Sequence, residues 1–282
     1  MDIQKIIKEL INNNIIPSEP DYEQLKGGTN SELYLLKSNG LKCVVKLNEP
    51  QVIESEAIFL NTYKDINLLP KLLFVEPSFH AMVYSFINGS TDYVAINKKE
   101  MLRILVEELL NKYKDAPSAV GWGWPEDPVE SWQHFLMNEV VETNRILASR
   151  LDKGDYEYIC NLVLKNNTDS KHFLLHGDCG VHNFIFDKGQ FCGVIDSTPV
   201  IGDPMYDLTY AFCSSPDDLT KDTIDSGAKN MRIYREGDCS DLYEQVVISL
   251  YLRLGACIKH HPKDFEKYLK AWNYWKGLVK NR

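Results

Sequence analysis

A polar loop followed at once by a β-hairpin, set inside a long stretch of helical periodicity, constrains this chain most. Phe173-Leu174-Leu175 leads into His176-Gly177-Asp178, and two short apolar runs, Phe184-Ile185-Phe186 and Cys192-Gly193-Val194-Ile195, flank a turn at Asp187-Lys188-Gly189. Turn residues between short apolar runs specify a hairpin. Around this segment the spacing of apolar residues predicts helices over 98–113, 130–151, 155–166, 218–235, 240–260 and 263–278. The stretch from Ala116 to Pro128, with Gly121-Trp122-Gly123-Trp124-Pro125, reads as the longest irregular loop.

The first 90 residues have a different character. Ile3, Ile6, Ile7, Leu10 and Ile11 recur at helical spacing and predict an amphipathic helix over 2–12. Leu33-Tyr34-Leu35-Leu36, the turn Ser38-Asn39-Gly40 and Cys43-Val44-Val45-Lys46-Leu47 predict two strands in a hairpin. A helix follows over 51–64, then a strand from His80 to Phe86 that ends at Asn88-Gly89. The expected fold class is therefore α+β and two-lobed. Residues 1–88 form a small antiparallel sheet carrying one internal helix, and residues 89–282 form a mainly helical lobe with an inserted hairpin.

Composition narrows the function. The 282 residues suit two lobes, and 44% hydrophobic with 25% charged residues is ordinary for a globular chain. A formal net charge of −9 lacks the basic footprint of a nucleic-acid binder, so no nucleic-acid partner is expected. The seven cysteines are scattered and contain no CxxC pair, against a disulfide framework and against a zinc ribbon. The first twenty residues lack a basic segment followed by an apolar core, and no apolar run reaches the length of a membrane span. A cytoplasmic protein with no membrane partner is expected.

The chemistry concentrates in the loop and hairpin. Asp178 and Asn183 are five residues apart, and Asp196 stands thirteen beyond Asn183 (196 − 183). Phosphoryl transfer needs a carboxylate beside the attacking hydroxyl, with a second carboxylate and an amide to hold Mg²⁺ across the phosphates. A loop followed by a returning strand can supply all three. A polar turn with a capping aspartate is the plainer reading. A metallohydrolase using His176, Asp178, Cys179 and His182 is another, but it leaves Lys46, Glu56 and Asp196 unexplained.

HGDCGVHNFIF followed by GVIDSTPVIGDPMYDL resembles the aminoglycoside-phosphotransferase and choline-kinase-like family of small-molecule kinases. That pattern is filled at His176, Gly177, Asp178, Asn183, Ile195, Asp196, Gly202, Asp203, Pro204, Asp207 and Leu208. The resemblance implies a protein-kinase-like fold of two lobes. It implies Asp178 as the catalytic base, Asn183 and Asp196 as Mg²⁺ ligands, His176 as a brace and Asp207 as a structural acceptor for the loop. It spans about 22–260 and is strongest over 174–208.

The N-terminal half fits the same scheme. A kinase fold needs a strand lysine on the α/β-phosphates and a helix glutamate to hold it. Lys46 lies in a predicted strand, and Glu56 is the chosen partner, with Glu54 as the alternative. The turn-rich loop Gly27–Ser31 falls where a phosphate-covering loop belongs, with Gly28 and Ser31 as its candidate contacts. By resemblance, Ser85 and Phe86 end the strand whose backbone reads the purine. The expected cofactors are ATP or GTP with Mg²⁺, and the partner is a small hydroxyl-bearing substrate.

The acceptor is less constrained. Asp217, Asp218 and Glu139 (or Glu142) are candidate substrate carboxylates, although Ser-Pro-Asp-Asp composition also suits a helix cap. The chain ends without an acidic tail and carries Lys259-His260-His261-Pro262-Lys263 instead. Tyr268, Trp272, Tyr274 and Trp275 read as helix packing more readily than as a sugar platform. Gly121–Trp124 and the helix start Ser131–Leu136 resemble hygromycin-kinase-like members. The expectation is an antibiotic phosphotransferase acting on an aminoglycoside or hygromycin-like acceptor, hence antibiotic resistance. The alternatives are a metabolic kinase for choline, homoserine or a sugar, and an inactive nucleotide-binding pseudoenzyme. Oligomeric state is left open.

Overall fold

A computed structural model describes residues 2–25, 31–92, 97–116, 120–147, 150–165, 172–232 and 242–281. The chain begins with α1 (Ile3–Asn12), β1 (Asp21–Gln24), β2 (Glu32–Ser38), β3 (Leu41–Leu47), α2 (Pro50–Thr62), β4 (Leu72–Val75) and β5 (Ala81–Ser85). It continues through α3 (Lys98–Glu108), β6 (Trp122–Trp124), β7 (Asp127–Val129), α4 (Trp132–Leu147), α5 (Lys153–Lys165) and β8 (Phe173–Leu175). After β9 (Phe184–Asp187), β10 (Gln190–Val194) and β11 (Val200–Gly202) come α6 (Met205–Cys213), α7 (Lys221–Ala228), α8 (Leu242–His260) and α9 (Phe265–Lys280). Contacts divide these elements into two compact units, residues 1–92 with 183–199, and residues 93–182 with 200–282. Among the described residues no helix is long and apolar enough to cross a membrane.

The first unit is built on an antiparallel sheet of order β1-β2-β3-β5-β4. Asn39 and Gly40 both take positive φ, which lets the two-residue turn between β2 and β3 follow the strand twist. Helix α1 starts at Asp2, whose carboxylate accepts from the Gln4 N–H at 3.1 Å. Its Ile3, Ile6, Ile7 and Leu10 join Cys43, Val45 and Leu47 of β3 in one buried cluster. Side chains alternate along a strand, so Val44 and Lys46 face the other way. The β9–β10 hairpin groups with this unit, although sequence order put it in residues 89–282. Its backbone explains why: Val194 N–H donates to Leu68 O at 2.8 Å, and Ser90 and Phe186 exchange hydrogen bonds of 3.0 and 2.9 Å.

The second unit is mainly helical around a small sheet of order β7-β6-β11-β8. Its core is dense in aromatics, and Trp132, Tyr251, Tyr268, Trp272 and Trp275 are at most 1% exposed. Tyr268, Trp272 and Trp275 are thus packing residues, while Tyr274 is exposed. Two expectations need correction. Residues 122–129 are a hairpin, β6–β7, where an irregular loop was expected; the Trp122 ring stacks on His172 at 4.3 Å, and Pro128 sits in β7, at the sheet edge where its missing N–H is tolerated. Helix α7 runs Lys221–Ala228 where 218–235 was expected: a turn described below occupies the chain before it, residues 229–232 are not helical, and residues 233–235 lie outside the described residues.

Candidate active site

The candidate residues fall into two groups, one in each unit. In the first unit Lys46 projects from β3 and meets Glu56 of α2, with Nζ 2.5 Å from Oε2. Asp196 Oδ1 accepts from the same ammonium. Lys46 is 2% exposed and Glu56 1%, so this pair is removed from water. Burial alone would discharge Lys46, but the Glu56 and Asp196 carboxylates outweigh it and hold the ammonium charged, its pKa raised. Burial pushes the Glu56 carboxyl up to about 7 against the pull of Lys46. Glu54 is exposed.

Asp196 follows β10 at φ +60°, a left-handed conformation that aspartate tolerates better than most side chains. Its side chain keeps 44% exposure, unlike its partners. Asn183 is buried and tied to the same stretch: its carbonyl accepts from Ile195 N–H at 2.9 Å, and its Nδ2 lies 3.5 Å from the Asp196 carbonyl. One carboxylate and one amide oxygen, fixed to each other through backbone, is the donor set that suits Mg²⁺ shared with substrate phosphates. Among the described residues no group of three or more His, Cys, Asp or Glu is placed to hold a metal by itself.

The remaining first-unit candidates are less exclusive. Ser31 Oγ accepts from Asn48 Nδ2 at 2.6 Å, while Gly28 lies outside the described residues. Ser85 N–H donates to Lys71 O at 2.8 Å, and Phe86 N–H to Lys42 O at 3.2 Å. Both N–H groups are therefore committed within the sheet.

In the second unit the loop after β8 carries Asp178. His182 Nε2 lies 3.2 Å from Asp178 Oδ2, and Tyr210 of α6 also hydrogen-bonds the carboxylate. Burial would raise the Asp178 pKa, but these hydrogen bonds outweigh it and hold the group down at about 2. A Cβ at Gly180 would run into the His182 ring, so a larger residue there would displace that ring from Asp178. The loop hangs on Asp207 of α6, whose carboxylate accepts from Tyr113 Oη at 2.5 Å, His176 N–H at 3.0 Å and Gly177 N–H at 3.1 Å. Ser214 Oγ accepts from Val181 N–H at 3.1 Å.

A cavity of about 260 Å³ opens between α4, α6 and α8. Tyr206 and Tyr210 line it from α6, so the tyrosine bonded to Asp178 is also a cavity wall. Glu139 and Glu142 line it from α4, and burial, then Glu142, push the Glu139 carboxyl up while Lys259 opposes. Arg253 and Lys259 line it from α8. Asp217 and Asp218 do not. The Asp218 carboxylate accepts from Thr220 and Thr223 hydroxyls at 3.1 and 2.8 Å, closing the turn before α7. The Asp217 carbonyl accepts from buried Lys98, together with those of Phe212 and Ser215.

Sequence reading missed Tyr113, Tyr210 and Arg253. The signal for the last was present: Ser249, Leu252, Arg253, Ala256 and Lys259 recur on one helical face and all line the cavity.

The sequence pattern of the Phosphotransferase enzyme family (APH) matches residues 21–235. A search of curated proteins finds no match. Among solved structures, a thermostable mutant of aminoglycoside phosphotransferase APH(4)-Ia, in ternary complex with AMP-PNP and hygromycin B, is 19% identical with TM-score 0.61, covering 98% of each chain. A GDP complex of an aminoglycoside 2′-phosphotransferase-IIIa mutant is 15% identical with TM-score 0.63, again over 98% of each chain. The choline kinase LicA from Streptococcus pneumoniae is 17% identical with TM-score 0.60, over 98% of this chain and 99% of that one. These similarities establish a shared kinase-like fold.

Proposed function

This chain belongs to the Phosphotransferase enzyme family (APH), and from that premise we propose that it moves the γ-phosphoryl group of ATP or GTP onto a hydroxyl of a small acceptor, with Asp178 as base. The observation that carries the reading is the buried Lys46–Glu56 pair with Asp196 on the same ammonium. A strand lysine kept charged in this way is the group a kinase needs on the α/β-phosphates. Ser31, with Gly28 in the same loop, would cover those phosphates. The committed N–H groups of Ser85 and Phe86 leave the purine contact to backbone just past that strand end.

Asn183 and Asp196 would hold Mg²⁺, which neutralises charge on the β- and γ-phosphate oxygens when bound. The acceptor oxygen attacks the γ-phosphorus as the bond to the β–γ bridging oxygen breaks. The nucleoside diphosphate leaves with that electron pair, and the hydroxyl proton passes to the Asp178 carboxylate. Held at about 2, that carboxylate is ionised at neutral pH but weak as a base, so it suits orienting the hydroxyl and taking its proton late, as the bond to phosphorus forms. Tyr210 and His182 orient it.

Two acceptor classes follow from the family: an aminoglycoside or hygromycin-like antibiotic, or a metabolite such as choline, homoserine or a sugar. The cavity beside Tyr210 favours a small uncharged or anion-bearing metabolite, such as a sugar or homoserine, over a polycationic antibiotic and over choline, itself a cation. Its volume is about 260 Å³, below the roughly 300–1,000 Å³ of clefts for drug-sized ligands, and its wall includes two cationic side chains. Glu139 and Glu142 are the carboxylates there, and Asp217 and Asp218 are left to the turn.

The test is nucleoside diphosphate release with Mg²⁺ and ATP or GTP over a panel of antibiotics, choline, homoserine and sugars. An acceptor should stimulate release in the wild type, and Asp178→Ala should remove the stimulation by about 10²–10⁴-fold. Equal stimulation in the variant would sink the base assignment.

A further inference from the structure

Arg253 is the unusual side chain of the cavity. Its Nε donates to Tyr268 Oη at 3.2 Å and its Nη2 to Ser214 O at 2.8 Å. Its guanidinium also lies over the Tyr268 ring at 5.4 Å. Those hydrogen bonds engage two of five N–H donors and bring no negative charge. Among the described residues no carboxylate lies within ion-pair distance of it. A half-buried guanidinium without a counterion is costly, and burying it is favoured only when an anion arrives to pair with it.

The surroundings sharpen the need. Lys259 and His260 line the same cavity from the last turn of α8. Protonation of neighbouring His261 is disfavoured by burial first and then by Arg253 and His260, with the Asp264 carboxylate opposing. The carboxylates Glu139 and Glu142 sit on α4, and Glu142 is paired with Arg145. On the α8 wall Lys259 has the Glu139 carboxylate opposite it, whereas Arg253 has no carboxylate of its own, and Tyr210, which touches Asp178, is another wall.

We infer that the acceptor carries an anionic group, a carboxylate or a phosphate ester, held by the Arg253 guanidinium with Lys259 beside it while its hydroxyl is presented to Asp178. The inference rests on the kinase reading for the role of that hydroxyl, but the anion site stands on the cavity alone. Arg253 also bridges Ser214, which receives the Val181 N–H of the catalytic loop, so an arriving anion meets a group already fixed to that loop. The planar fork suits either anion in a bidentate pair.

The experiment uses the full chain saturated with Mg²⁺ and a non-hydrolysable ATP analogue, which fills the anion sites belonging to the nucleotide. Glycerate, glycerol 3-phosphate, glycerol and choline are each titrated calorimetrically. At least one of the two anions should bind tenfold or more tightly than glycerol and choline. Binding by glycerate alone identifies a carboxylate, and by glycerol 3-phosphate alone a phosphate ester. Arg253→Gln should weaken the anion tenfold or more, with partial recovery in Arg253→Lys. Because Arg253 also links Tyr268 and Ser214, thermal unfolding checks the fold, and Lys259→Gln on the exposed last turn should weaken the anion at least threefold in an undisturbed fold.

Glycerol or choline binding as tightly as the anions, no binding by either anion, or anion affinity unchanged in Arg253→Gln would each overturn the inference. Failure of the kinase reading looks different: anions bind in an Arg253-dependent way, yet no acceptor stimulates nucleoside diphosphate release. Stimulation by hygromycin B or choline without anion binding leaves the kinase and removes the anion site.

Discussion

Lys46 is held by two carboxylates of different kinds. Glu56 is buried with it, whereas Asp196 keeps 44% exposure and can turn toward a ligand. Removing the cation should therefore strand Glu56 more than Asp196. Lys46→Met is expected to cost about 3–5 kcal/mol, the range for leaving a buried charge unpaired. Lys46→Met with Glu56→Gln should regain part of that in urea unfolding, and a double variant no more stable than the single one would contradict the pairing. Asp196→Ala should weaken nucleotide binding tenfold or more with Mg²⁺ present and much less without it. Identical losses in both conditions would argue against its metal role. The meeting of Lys46 with Glu56 was legible because a strand lysine and a helix glutamate ten residues on belong to neighbouring elements, and that of Asn183 with Asp196 because a hairpin returns the second to the first. Tyr113 and Tyr210 were not, since each acts through a partner 63 or 32 residues away (176 − 113, 210 − 178), whereas Arg253 was marked only by the helical face it shares with other cavity residues.

Two helices set the geometry of the second unit. Helix α6 supplies Asp207 to the loop after β8 and Tyr210 to Asp178, one turn apart on one face. Asp207→Ala would remove the carboxylate that Tyr113 Oη and the His176 and Gly177 N–H groups share, a loss of about 1–3 kcal/mol. Helix α8 approaches α4 closely at Gly255, where a Cβ would fall 2.8 Å from Thr143 Cγ2. Gly255→Ala is expected to destabilise by about 1–3 kcal/mol in urea and to shift the cavity walls, since overpacking moves helices apart. Unchanged stability would mean that the contact yields without cost. The long helices were readable from apolar period. Helix α6 was not, because its nine residues follow directly on strand β11 and nearly all are buried, so no polar face marks its period. Strands β6 and β7 were hidden by glycine and proline, which are common in loops and tolerated at a sheet edge.

Charge links the whole chain to pH. Burial pushes Glu56 up to about 7 and Asp203 and Asp207 up to about 6. Between their ordinary and folded values the folded chain holds more protons than the unfolded one, so their contribution to stability declines as pH rises from about 4 to 7. Asp178 acts oppositely: with its pKa at about 2, its contribution is complete above the ordinary aspartate value and is lost as pH falls toward 2. The net charge of −9 at pH 7 adds self-repulsion on the alkaline side. The urea midpoint should be higher at pH 5.5 than at pH 8, with a smaller difference in Asp203→Asn; equal midpoints in the wild type would refute the balance. The alternation of sheet-rich and helix-rich halves was readable at this scale, but the allegiance of the hairpin was not, because hydrogen bonds such as Val194 to Leu68 leave no mark on local composition. That allegiance has a consequence for inheritance. Since the first unit is completed by residues 183–199, a single crossover between related genes cannot exchange either unit intact. Recombinants joined near residue 92 would pair the strand carrying Lys46 from one parent with the hairpin leading to Asp196 from another, so the two segments are bound to diverge together.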